Sequence, residues 1–152
     1  MPTLKDQLRA DLTTAMKARD DTRTRTLRMA LTSITNEEVS GTAAHDLTDD
    51  EIVRILTREA KRRREAAAAF AGAGRAEQAA VEHAEEDVLA SYLPAQLDDA
   101  ELAMLVADAI AETGASGPGG IGQVMKALTP RVAGRAEGSR VAAMVRSRLT
   151  ST

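Results

Sequence analysis

The sequence predicts an all-α protein, with a four-helix N-terminal hairpin or bundle domain followed by a small three-helix tail domain. Three observations carry that reading. Aromatic strand builders are almost missing, with one Phe, one Tyr and no Trp in 152 residues, while Ala, Leu, Glu and Arg, which favour helices, abound. Apolar residues recur at three- and four-residue spacing in seven separate stretches. Capping and stop signals punctuate those stretches.

Leu4, Leu8, Leu12, Ala15 and Met16 fall at helical spacing behind Thr3 as N-cap, which predicts a first helix to about Arg19. Asp20-Asp21 breaks it. A second helix carries Leu27, Ala30, Leu31 and Ile34 on one face and fades near Ser40-Gly41. Thr48-Asp49-Asp50-Glu51 is a capping box, in which each side chain satisfies the other residue's amide. It opens a long helix with Ile52, Ile55, Leu56, Glu59, Arg63, Ala67 and Phe70 on one stripe, ended by Gly72 and Gly74. A fourth helix carries Val81, Ala84, Val88 and Tyr92 and stops at Pro94.

Asp98 and Glu101 form a second capping box, ahead of Leu102, Leu105, Val106, Ala109 and Ile110, and Gly114 closes that fifth helix. After the Gly117-Pro118-Gly119-Gly120 loop, Ile121, Val124, Met125 and Leu128 predict a short sixth helix ended by Pro130. Ser139 is the expected cap of a last helix with Val141, Val145 and Leu149. The domains are expected at 1–93 and 98–152, with 94–97 as linker. The chain of 152 residues is long enough to bury an ordinary core, while the tail lies near the lower size limit for independent stability.

Charge is polarised. The net formal charge is −3, yet residues 75–100 hold seven acids against one Arg, and residues 114–152 hold six bases against Glu137 alone. A basic end of this kind fits a polyanionic partner. With no Cys, disulfides and thiolate metal sites are excluded. The first six residues are charged where a leader would be apolar, and no run approaches the roughly 20 apolar residues of a membrane span. A cytoplasmic protein, without membrane association, is the expectation.

Gly117-Pro118-Gly119-Gly120-Ile121-Gly122 matches a dinucleotide-binding glycine pattern, but that chemistry needs a strand feeding the turn, and a helix precedes it here. The remaining functional use is phosphate approach: Gly120 and Gly122 at a helix N-terminus leave backbone amides unobstructed. His45 and His83 stand isolated, and Glu82, Glu85, Glu86 and Asp87 lack partner histidines, so these acids read as a solvated helix face. No metal or cofactor is expected. No nucleophile elbow or phosphate-binding Gly-Lys-Ser/Thr loop is present, and no catalytic residue is assigned. Candidate RNA-binding residues are Lys126, Arg131, Arg135, Arg140 and Arg146, whose guanidinium forks suit phosphate oxygens. Arg54, Arg58, Lys61 and Arg62 share a second basic face on the third helix, where long basic stems also cover apolar surface.

The segments Leu27-Arg28-Met29, Asn36-Glu37, Arg58-Glu59-Ala60-Lys61-Arg62-Arg63, Tyr92-Leu93-Pro94-Ala95-Gln96-Leu97, Gly114-Ala115, Gly122-Gln123-Val124-Met125 and Val132-Ala133-Gly134-Arg135-Ala136-Glu137-Gly138 resemble the GatB/YqeY family. That family shares a tail domain with the B subunit of the glutamyl- and aspartyl-tRNA amidotransferase. The resemblance implies a helical N-terminal domain, a three-helix tail that helps hold tRNA, and an association with carbon-nitrogen ligase chemistry. The cradle domain that does that chemistry in the amidotransferase has no counterpart here. Where Lys-Ala-Asp-Gly is usual, this chain has Arg135-Ala136-Glu137-Gly138, with both charges kept.

Three functions follow as expectations. The first is a non-catalytic tRNA-binding module that reads shape and backbone, since aromatics for base stacking are scarce. The second is an accessory of a glutamine-dependent ligase, with a protein partner in aminoacyl-tRNA metabolism. The third is a helical adaptor presenting an apolar groove around Tyr92 and Leu97.

Overall fold

A computed structural model describes residues 1–151, so Thr152, the last residue of the expected tail, lies outside the described residues. All regular structure among them is helical: α1 Leu4–Lys17, α2 Asp21–Glu38, α3 Asp49–Gly72, α4 Ala76–Ala90, α5 Asp99–Thr113, α6 Ile121–Val132 and α7 Gly138–Thr150, with a 3-10 turn at Pro118–Gly120. None of these helices is long and apolar enough to cross a membrane.

Three helices start on reciprocal caps. Thr3 Oγ1 accepts from the Asp6 amide while the Asp6 carboxylate accepts from the Thr3 amide, and Thr48 with Glu51 and Asp98 with Glu101 repeat the arrangement. The backbone hydrogen bond from Thr3 holds the Asp6 carboxyl below its ordinary range, and the one from Thr48 does the same for Glu51. Asp20 caps α2 by accepting from the Arg23 amide at 3.1 Å. At the other end of α5, Gly114 takes the left-handed conformation, φ 66°, that a Cβ would strain.

Some boundaries differ from the sequence expectation. α1 ends at Lys17, because Ala18 caps it and Arg19 turns the chain through a left-handed φ of 56°. α6 continues through Pro130 to Val132; the proline forfeits one backbone bond, but Val132 is buried in the core and anchors the last turn. α7 begins at Gly138, so Ser139 lies inside the first turn and caps nothing. α4 stops at Ala90, leaving Tyr92 beyond it. Its buried edge is Ala79, Glu85 and Leu89, whereas Val81, expected inside, is 46% exposed.

The chain divides into two compact units, Met1–Leu93 and Pro94–Thr152. In the first, α3 and α4 pack along one another and α1 and α2 close over them around Leu8, Leu27, Ile34, Ile52, Leu56 and Leu89. In the second, α5, α6 and α7 enclose Leu102, Val106, Val124, Leu128, Val141 and Val145. Residues 94–97, expected as a linker, are built into this second unit. Leu97 is buried, its amide donates to the Arg135 carbonyl at 2.8 Å, and Gln96 Nε2 donates to the Gly134 carbonyl at 2.9 Å. An apolar side chain beside a core of this small size has more to gain by burial than by serving as a tether.

Candidate functional site

The bases of the second unit are less free than their sequence neighbourhood implies. Arg131 on α6 forms an ion pair with Glu112 on α5. Their hydrogen bond holds the Glu112 carboxyl below its ordinary range and raises Arg131. Arg140 on α7 donates through Nη1 to the Leu97 carbonyl at 2.9 Å and through Nη2 to Asp99 Oδ1 at 2.7 Å. Arg135, half-buried, donates from Nε to the Ala95 carbonyl at 3.4 Å. Glu112 and Asp99 both precede residue 114, outside the basic window, and Asp99 belongs to the acidic one. Folding α5 against α6 and α7 brings them back.

Lys126, Arg146 and Arg148 remain exposed, and among the described residues none has a carboxylate at ion-pair distance. Of the expected phosphate-approach glycines, Gly122 is exposed and open to solvent, but Gly120 is buried. A Cβ at Gly120 would lie 2.7 Å from the Ala115 Cβ, so this glycine is required by close packing of the loop onto α5's end rather than by a ligand.

In the first unit, Arg54, Arg58, Lys61 and Arg62 are all exposed on α3. The three arginines divide between two recesses, and Lys61 lines neither. Arg54 and Arg58 line a small one with His45, Glu37 and Glu51, while Arg62 lines a larger groove between α2 and α3. Arg62 also pairs with Glu59 one turn earlier, at 3.1 Å.

The acids of α4 are not a solvated face. Glu85 has a side chain only 8% exposed, and Glu86 and Glu82 are largely covered, so that of the four acids between residues 82 and 87 only Asp87 is exposed; Glu77, in the first turn, is exposed as well. Glu85 lies 2.9 Å from Arg63 Nε and 3.1 Å from Arg25 Nε; Glu86 accepts from Arg64 Nε at 2.9 Å. Hydropathy alone reads four acids in six residues as a wet surface. The missed signal is the basic run of α3 facing them across a short glycine turn, which a helical hairpin necessarily places alongside.

Sequence reasoning also missed two arginines of α2, Arg25 and Arg28, which line the α2–α3 groove with Arg62 and Arg63. Nothing in the α2 pattern marks them until α3 is laid beside it. Leu97, expected on an exposed apolar groove, is closed inside the second core, and Tyr92 packs half-buried against the first.

No curated protein matches the chain. A family model described as Yqey-like protein matches residues 5–149, a span that takes in nearly every helical residue of both units. The chain belongs to the Yqey-like protein family.

Proposed function

We propose that this chain is a non-catalytic helical module that binds structured RNA, tRNA foremost, with a four-helix N-terminal domain carrying a three-helix tail that contacts the RNA. The observation that carries the reading is the exposed set Lys126, Arg146 and Arg148, left without carboxylate partners among the described residues. Arg140 supports it as well: its partner Asp99 is 87% exposed, so this surface pair contributes little and yields readily to a phosphate. Contact through phosphates suits a chain with almost no aromatic side chains to stack on bases. The likeness of the tail to the amidotransferase B subunit points the same way, and it also supports an accessory role beside a carbon-nitrogen ligase in aminoacyl-tRNA metabolism.

The test is filter binding of total tRNA, against double-stranded DNA competitor, across a salt series. Changing Lys126, Arg146 and Arg148 together to Ala is expected to weaken tRNA binding and to flatten the slope of log affinity on log salt by about 2–3, at a little under one per lost phosphate contact. Unchanged affinity and slope reject the tail as the RNA-contacting part. The accessory role is tested by adding the protein to an amidotransferase assay, where an unaltered rate and tRNA affinity count against it.

A further inference from the structure

Helices α2 and α3 leave between them a groove of about 720 Å3. Its α2 wall is one helical stripe, Asp21, Thr24, Arg25, Arg28, Met29, Thr32 and Ser33, and its α3 wall is Glu59, Arg62 and Arg63. A smaller recess continues it past Arg28 toward Arg19 and Met16. Four guanidinium groups thus face one opening.

The groove is organised in depth. Glu59 and Glu85 have side chains only 11% and 8% exposed, and both are already engaged, Glu59 by Arg62 and Arg63, Glu85 by Arg25 and Arg63. Arg63 itself is mostly covered, at 15%, while Arg25 and Arg62 are 51% and 62% exposed. The carboxylates therefore hold these guanidinium groups while leaving further N–H groups of Arg25 and Arg62 outside the pairs. Arg25 uses only Nε and Arg62 only Nη1 in these bonds. Arg28 has no carboxylate partner among the described residues, where its one side-chain hydrogen bond is from Nη2 to the Met16 thioether, at 3.8 Å. A thioether is a weak acceptor that an oxyanion readily replaces.

We propose that this groove is a phosphate-oxyanion site, with Arg28 as its central donor, Arg25 and Arg62 as flanking donors, and the hydroxyls of Thr24 and Ser33 beside them. Its lining belongs wholly to the first unit, and it does not depend on the tail's binding RNA. The ligand chemistry is a tetrahedral oxyanion offered to several preoriented guanidinium forks, the geometry in which Arg exceeds Lys. Asp21, at the rim, selects against a ligand that would sit over the first turn of α2 and directs it toward Arg28.

The phosphate could be one in an RNA backbone or a free one, and the experiment separates them. Arginine side-chain Nε–Hε signals of the full-length protein are followed by NMR during titration with inorganic phosphate, and separately with a short RNA duplex, at matched chloride. Either titration moving the Arg28 and Arg62 signals supports the site. Movement with RNA that weakens steeply with salt assigns it to backbone phosphate, and movement with inorganic phosphate alone assigns it to a free ligand. Arg28→Ala should lower the affinity by about tenfold, since hydrogen bonds to charged groups are of that strength, with thermal stability unchanged because no carboxylate loses a partner. Arg28→Lys should recover only part of the loss. Changing Lys126, Arg146 and Arg148 to Ala should leave these side-chain shifts intact, so failure of the tail reading and failure of the groove are told apart. No movement with either probe, or affinities unaltered by Arg28→Ala, overturns the proposal.

Discussion

Tyr92 is held by two charged residues from far earlier in the chain. Its hydroxyl donates to Asp11 Oδ2 at 2.6 Å and accepts from Arg23 Nη2 at 3.2 Å, and the Arg23 guanidinium carbon lies 5.9 Å from the ring centroid. Burial, and then the bond to Asp11, push the phenol up to about 12 from its ordinary value near 10. A raised value means the fold favours the neutral phenol. The stability it contributes is therefore whole below about pH 10 and drains away as pH climbs through about 12. Phenolate absorbance should titrate near 12 in the folded chain and near 10 in urea; a folded midpoint near 10 would show the hydroxyl free. Tyr92→Phe should cost about 1–2 kcal/mol in urea unfolding, from the lost bonds to charged partners. The residue itself stood out in the sequence, within the Tyr-Leu-Pro-x-Gln-Leu segment. Its partners did not, since 81 and 69 residues of chain separate them from it and no local pattern encodes a contact closed only by packing α1 and α2.

Among the helices, what local chemistry decides was legible and what pairing decides was not. The caps at Thr3, Thr48 and Asp98 are complete within four residues, so their identity alone places the starts of α1, α3 and α5. The orientation of α4 depends instead on α3, because its inner edge is acidic and finds its counter-charges there. Glu85→Gln should therefore destabilise the protein by about 3 kcal/mol, the scale for breaking a covered ion pair, because it leaves Arg63 only the longer pairs to Glu59 and Glu82, each at 3.8 Å. Asp87→Asn, two residues on and exposed, should change stability by no more than about 0.5 kcal/mol. Chemical denaturation of the two variants side by side decides whether α4 docks by charge; equal, small effects would mean that Ala79 and Leu89 hold it unaided. The charge asymmetry that marked the tail was legible as composition, yet Asp99 and Glu112 lay just outside the basic window and two of the marked arginines folded onto them.

At the scale of the molecule, each unit encloses its own aliphatic core, and these cores share no residue. The helical class was plain from composition, and the division at residue 93 fell at Pro94, where a helix cannot continue. Leu128→Ala, in the second core, should remove about 2–4 kcal/mol from that unit's stability. Hydrogen exchange should show amides of α5, α6 and α7 losing protection while those buried around Leu8 and Leu56 keep theirs; a uniform loss across all helices would show one cooperative block. Phe70 and Tyr92, the whole aromatic complement of the chain, both belong to the first unit. Intrinsic tyrosine emission and near-ultraviolet dichroism consequently watch only that half, and the tail could melt completely without either signal registering it.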